Sequence, residues 1–199
     1  RRFHCIPCFT PRKEASAENS SSQLEQEIKN LSYKHQKSMG QLYNLVGSVL
    51  SQHARFAFNE APFNDGLAGQ LEEVANQLDT LGFRGVITLR SHLGKFCVKS
   101  RGNGQATLPR EATPASACEV SDVSASAAEE RGLAQSMAFS NMISSIEARF
   151  GNHIQIALET AGTDEPLRPY PDALEGVSAG DWNKIASQNQ RIEFSISPR

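Results

Sequence analysis

The segment Asn-Gln-Arg-Ile-Glu-Phe-Ser-Ile at residues 189–196 decides the fold that this sequence predicts. Apolar Ile and Phe side chains alternate there with polar ones, which is the pattern of a half-buried strand. Upstream, the sequence predicts a first strand and turn within residues 54–64, a buried strand at residues 85–92 that ends in a histidine, and a strand at residues 153–158. Four strands are therefore expected.

Two long helices and one short one are expected between these strands. Apolar residues recur at helical spacing in residues 66–81 and 127–150, and residues 181–187 predict a short helix. Residues 99–126 are rich in Gly, Pro and Ala, so we expect them to form a long surface loop inserted into the domain. The element order β-α-β-insertion-α-β-loop-β predicts an α/β sandwich with helices on one face of a mixed sheet.

Composition limits the classes of function. The 199 residues suffice for one domain with a core and an appendage. A formal charge of −2 gives no overall field that favours nucleic acid, and the basic residues are scattered, so no nucleic-acid partner is expected. No run approaches the roughly 18 apolar residues that a membrane helix requires.

Residues 21–53 carry a heptad pattern that predicts an amphipathic helix. The stripe fits either a parallel coiled coil that makes a homodimer or a single helix packed on the domain. Residues 1–20 are basic, polar and Pro-containing, and we interpret them as a flexible tether, with a candidate membrane anchor upstream of Arg1. The stripe comprises Leu24, Ile28, Leu31, His35, Ser38, Leu42, Leu45 and Val49.

The strand order and four short motifs resemble the OmpA-like (OmpA/MotB) peptidoglycan-binding domain family. In that family a strand ends in GHTD, a helix opens with LSxxRA, GxGxxxP follows a strand, and the last strand opens with NRRIEF. The matching segments are SHLG at 91–94, EERGLA at 129–134, GTDEP at 162–166 and NQRIEF at 189–194. The resemblance covers about residues 54–198 and implies an OmpA-like domain at 54–199.

The resemblance implies a ligand-binding site for the peptide stem of peptidoglycan, whose diaminopimelate carries both a carboxylate and an ammonium group. Arg131 matches the family arginine and would clamp the carboxylate. The family aspartate falls on Gly94, which cannot pair the ammonium, and Asp122 or Glu129 would have to replace it. The remaining candidate positions are His92, Asn189 and Arg191.

Each candidate also has a structural interpretation. Arg131 fits a solvated charge near a helix start, and His92 fits a core histidine bonded to a neighbouring loop. Asn189 fits a loop cap, and Arg191 fits an ion pair with Glu193 or Asp164. These alternatives stay open at the level of sequence.

Cys97 and Cys118 bracket most of the insertion and form a candidate disulfide for an exported protein. Closing this loop would stabilise the fold by about 3 kcal/mol, because it lowers the conformational entropy of the unfolded chain. Two unpaired thiols are the other interpretation. No GxSxG, HExxH or phosphate-cradling loop is present, so the sequence predicts neither an enzyme nor a cofactor or metal site.

These observations predict a non-catalytic module in the periplasm or cell envelope that anchors its protein to peptidoglycan. The combination of a heptad helix and a wall-binding domain looks like a stator-type architecture. The alternative is a structural or protein-interaction domain in which the peptidoglycan pocket has degenerated.

Overall fold

The computed structural model describes residues 12–100, 106–120 and 124–199, with backbone only for 12–20. The chain divides after Leu42 into two compact units. The described elements, in chain order, are α1 (Arg12–His53), α2 (Asp65–Thr80), β1 (Gly85–His92), β2 (Cys97–Ser100), β3 (Ala106–Thr107), a 3-10 turn (Ala115–Ala117), β4 (Glu119–Val120), α3 (Ala125–Gly132), α4 (Met137–Phe150), β5 (Ile154–Gly162), α5 (Ala179–Asn189) and β6 (Arg191–Pro198).

Helix α1 begins earlier than the sequence predicts. It starts at Arg12 rather than at about residue 21, so residues 12–20 are helical and not part of a flexible tether. The rest of the expected tether, residues 1–11, lies outside the described residues. Among the described residues, no helix combines the length and the apolar character needed to cross a membrane.

The predicted mixed α/β class is confirmed by a sheet in the order β5-β1-β6. Strand β1 runs parallel to β5 and antiparallel to β6. Alternation places Ile87 and Leu89 of β1 in register with Ile196 and Phe194 of β6, and all four side chains are buried. One face of the sheet is therefore apolar, as the alternating segment 189–196 predicts.

Helices α3 and α4 pack against the sheet at β5, and α2 packs against α4. Asn64 caps α2 through a bond from the Leu67 amide, and Ser136 caps α4 through a bond from the Phe139 amide. The ring centroids of Phe63 and Phe139 lie 5.3 Å apart, which joins the segment before α2 to α4.

The expected first strand, within residues 54–64, is wrong. This segment makes only isolated bridges, from Arg55 to Arg191 and from Phe63 to Gln135. The end of α1 and the residue that follows it contact the edge of β6: the Phe194 amide donates to Ser51 Oγ at 2.8 Å, and the Ile192 amide donates to Ala54 O at 2.7 Å. The edge of β6 is thus covered by a helix end.

The insertion at 99–126, for which a long surface loop is expected, contains short strands in its described residues. Its described residues contribute to a second sheet in the order β3-β2-β4. A disulfide joins Cys97 to Cys118, with Cα atoms 5.3 Å apart, so the two candidate cysteines are paired. Asn183 of α5 accepts a bond from the Cys97 amide at 2.8 Å and donates to the Cys97 carbonyl at 3.0 Å. These contacts fix β2 on α5.

The helix expected over residues 127–150 is two helices, α3 and α4. Ser91 Oγ of β1 donates to the Gly132 carbonyl at 2.6 Å, which removes that carbonyl from a continuing helix. Ser136 then caps a new helix. Arg131 therefore lies in the last turn of a short helix rather than near the start of a long one.

Candidate functional site

His92 lies at the carboxyl end of β1 and is 1% exposed. Its Nε2 lies 3.0 Å from the Glu193 carboxylate on β6, while Nδ1 has no partner in the described part of the chain. Burial lowers the pKa of His92, the charge of Arg191 lowers it further, and the bond to Glu193 opposes both. His92 is therefore a buried, largely neutral ring held by the sheet.

Gly94, which the motif resemblance matches to the family aspartate, packs against the backbone of α5. A Cβ atom at this position would lie 2.8 Å from the Ala186 carbonyl carbon and 3.0 Å from the Phe96 ring. No side chain fits without movement of α5 or Phe96. An acidic group is thus excluded here by packing as well as by sequence.

Arg131 is engaged by the segment that precedes α2. Its guanidinium donates to the Phe58 carbonyl at 2.5 Å and lies 5.4 Å from the centre of the Phe58 ring. Burial lowers the pKa of Arg131. Arg131 lines a cavity of about 390 Å³ with Phe58 and Ala106, among others.

Asn189 and Arg191 hold the loop that precedes α5. The Asn189 side chain accepts from the Arg168 amide at 2.7 Å and donates to the Arg168 carbonyl at 2.9 Å. Arg191 donates to the carbonyls of Asn189 at 3.2 Å and Glu165 at 3.4 Å. Burial lowers the pKa of Arg191, and nearby Glu193 partly opposes that effect.

The structure therefore brings His92, Asn189 and Arg191 together and places Arg131 in different surroundings. His92 is in register with Arg191 across β1 and β6. Arg191 lines a cavity of about 530 Å³ with Arg55 and Glu193, but Arg55 donates to the Gln188 carbonyl at 2.6 Å and Glu193 bonds to His92. The charged groups around Arg191 are thus used within the fold.

A separate cleft of about 660 Å³ lies at the carboxyl ends of β1 and β5. We call it the β5-edge cleft, because β5 is an edge strand of its sheet. None of the five positions matched to the family lines it. Its lining residues are Arg90, Lys95, Ala125, Ala128, Glu129, Leu133, Leu158, Glu159, Thr160, Ala161, Gly162, Thr163 and Asp164.

Charged groups of both signs line this cleft. Among the described residues, no hydrogen bond or ion pair engages the side chains of Lys95, Glu129, Glu159 or Asp164. Arg90 pairs with Glu165 at 2.9 Å, and both side chains are substantially exposed, so this pair is weak. The cleft can therefore offer a cation and several carboxylates to a ligand.

One residue of this cleft, Glu129, is among the candidates of the sequence analysis. Glu129, a candidate replacement for the missing aspartate, lines the cleft, whereas Asp122, the other candidate, lies outside the described residues. Lys95 and Arg90 were missed, although both flank the SHLG segment at 91–94. The available signal was a cationic side chain on each side of the matched strand end.

Comparisons with known proteins give a weak structural likeness. The crystal structure of the periplasmic domain of Helicobacter pylori MotB (residues 78–256) aligns with a TM-score of 0.40 and 13% identity, over 74% of this chain and 73% of that chain. A second structure of that domain (residues 90–256) gives 0.35 and 14%, over 74% and 70%. No family model and no curated protein matches the sequence.

Substitution of Gly94 should destabilise the fold. Gly94→Ala is expected to lower the free energy of unfolding by about 1–3 kcal/mol because its Cβ meets the α5 backbone, and Gly94→Asp should lower it further by burying a carboxylate. Urea denaturation measures both changes. The matched control is Gly69→Ala at an exposed position of α2, where a Cβ atom meets nothing within 4 Å. This variant should raise the free energy of unfolding by about 0.5–1 kcal/mol. Wild-type stability of Gly94→Asp would contradict this packing.

His92 should make stability depend on pH. Its pKa is 6.5 before folding and lower in the folded state, so the unfolded chain binds more protons as the pH falls below 6.5. Wild-type stability is therefore expected to fall, relative to His92→Gln, from pH 7 to pH 5, by at most about 1.4 kcal/mol per pH unit. Urea denaturation at each pH measures the difference, with exposed His153→Gln as the control. Parallel pH profiles for wild type and His92→Gln would contradict the assignment.

Proposed function

We propose that this protein is a non-catalytic module of the cell envelope that anchors its protein to peptidoglycan, in the periplasm. The observation that carries the proposal is the β5-edge cleft, where Lys95 and the carboxylates of Glu129, Glu159 and Asp164 have no partner among the described residues. Unpaired charges of both signs suit a zwitterionic ligand. The motif resemblance at 91–94 and 189–194 supplies the class of ligand, a peptide stem.

The chemistry of the stem matches this charge arrangement. A carboxylate of the stem would lie near Lys95, with Arg90 available because its ion pair with Glu165 is exposed and weak. An ammonium group would lie near Glu129 and Asp164. This assignment moves the cationic role from Arg131 to Lys95 and the anionic role from the family aspartate position to α3 and the loop after β5.

Two contacts support a binding role rather than catalysis. Cys97 is held in a disulfide, so it offers no thiolate nucleophile. His92 is buried, and its Nε2 is bonded to Glu193, which leaves it poorly placed to act as a general base. No cofactor is included in the proposal.

The proposal includes a homodimer formed by a parallel coiled coil over residues 21–53. Leu24, Ile28 and Leu31 are 59%, 57% and 60% exposed, which leaves this part of the apolar stripe available to a second copy. With a membrane anchor upstream, the arrangement would be stator-like, joining a membrane-bound assembly to the wall.

A structural or protein-interaction domain is the second candidate. The observation that favours it is that the family-matched positions are used inside the fold: Gly94 by α5, Arg131 by Phe58, and Asn189 by Arg168. In this alternative the β5-edge cleft, or the stripe of α1, contacts a protein instead of the wall.

Co-sedimentation with isolated peptidoglycan sacculi tests the anchoring function. Saturable pelleting of the wild-type chain is expected, and Lys95→Ala or Glu129→Gln should each weaken it at least about 10-fold by removing one charged contact. The controls are exposed Lys184→Ala and Glu147→Gln, which make the same charge changes outside the cleft and should pellet like wild type.

The outcomes separate the two candidates. Equal pelleting by the cleft variants and the wild type would remove the site from the β5-edge cleft. If folded wild-type protein does not pellet, the anchoring function is overturned and the interaction-domain alternative is favoured.

Sedimentation equilibrium of the full chain tests the dimer. The wild type is expected to dimerise, and the triple variant Leu24→Glu, Ile28→Glu, Leu31→Glu should weaken association at least about 100-fold, because three buried apolar contacts become charged.

The matched control places three glutamates elsewhere on the same exposed helix segment, as Gln23→Glu, Gln26→Glu, Asn30→Glu. This control should remain dimeric. A monomeric wild type at high concentration would rule out the coiled-coil dimer.

A further inference from the structure

We propose that the free edge of β5 binds an extended peptide by strand addition within the β5-edge cleft. The inference rests on the proposed function and specifies how the peptide stem is held. In this arrangement the backbone of β5 supplies hydrogen bonds, while the charged side chains around it select a peptide that carries both a carboxylate and an ammonium group.

One side of β5 is already paired. The Gly85 amide donates to the His153 carbonyl at 2.8 Å, so His153 directs its backbone groups toward β1. Because backbone groups alternate along a strand, Gln155, Ala157 and Glu159 share that direction, as the parallel register of the two strands requires.

The opposite side of β5 is open. The backbone groups of Ile156, Leu158 and Thr160 alternate with those that face β1, so they point away from the sheet. Among the described residues, β1 is the strand that pairs with β5, and no backbone hydrogen bond reaches the outer side of these three residues. Unpaired donors and acceptors along an edge are a template for another strand.

The cleft extends over this edge. Leu158 and Thr160 share a face of β5 with the sheet residues Leu89 and Ser91, whereas Glu159 shares the other face with Arg90. Residues from both faces line the same cleft. Because residues from both faces of β5 line it, the cavity extends around the outer edge of this strand, where the unpaired N–H and C=O groups lie.

The size and charge of the cleft favour a short peptide. Residues 158–162 of β5 line it, and five residues of strand span about 16 Å, enough for about three to five peptide residues. Helix α3 contributes Ala125, Ala128 and Glu129 to the same lining. Lys95 and Asp164 then complement a peptide with charged groups of both signs.

Amide hydrogen exchange, followed by NMR, tests strand addition directly. The probe is the stem-peptide fraction released enzymatically from isolated sacculi. Saturating peptide should slow exchange of the Ile156 and Leu158 amides at least about 10-fold, whereas the amides of Ala157 and Glu159, which already face β1, should change little.

A pair of variants at one position isolates the backbone contribution. Leu158→Pro removes an outward amide while sparing the bonds to β1, as edge strands tolerate, and should weaken peptide binding at least about 10-fold. Leu158→Ala also removes most of the leucine side chain but keeps the backbone amide. Its affinity for the peptide should therefore stay within about threefold of wild type. Amide protection along β1 shows that each variant is folded.

Each result distinguishes this inference from the proposed function. Charge-dependent binding without new protection at Ile156 and Leu158 would overturn strand addition and leave peptidoglycan anchoring in place. Equal affinities of Leu158→Pro and Leu158→Ala would do the same. Should Leu158→Pro not fold, the exchange pattern of the wild type decides. Absence of peptide binding overturns strand addition, and sedimentation with sacculi then decides the anchoring function separately.

Discussion

Strand β1 carries the structure, because it bonds to β5 on one side and to β6 on the other. This double pairing brings the carboxyl ends of β1 and β5 and the start of β6 to the same edge of the sheet. The positions of buried His92 and of the β5-edge cleft both depend on that arrangement. The apolar face of β1 also fixes where the helices must pack.

The charged residues lie in two kinds of environment. Arginines that follow the family motifs satisfy carbonyls of nearby loops: Arg131 bonds to Phe58, and Arg191 bonds to Asn189. These groups stabilise the fold because each half-buried guanidinium finds an acceptor. By contrast, the charged side chains of Lys95 and Glu129 line the β5-edge cleft. The unpaired charges thus lie at positions other than those that the motif comparison predicts.

The sequence predicted the parts of the fold that depend on periodicity. The buried-strand pattern of residues 85–92 and the alternation in residues 189–196 correctly predicted β1 and β6. It missed the contact between the end of α1 and β6, because Ser51 and Phe194 meet only in the folded chain. Two-residue strands such as β3 and β4 are too short to show a period.

The candidate site was less predictable, for a related reason. The β5-edge cleft draws residues from β1, the loop after it, α3 and β5, which are far apart in sequence. Local motifs predicted a binding end of the sheet but not which charges remain unpaired there. The break between α3 and α4, set by the bond from Ser91 to Gly132, also changed the surroundings of Arg131.

The disulfide in the insertion affects how the protein responds to proteolysis. Cys97 and Cys118 close a covalent ring, and the ring is attached to α5 at two places, through Asn183 and through the bond from the Ala179 amide to the Thr113 carbonyl. A protease that cuts once inside the ring leaves both fragments linked. Under denaturing conditions the nicked protein would therefore migrate as one chain until a reductant opens the disulfide.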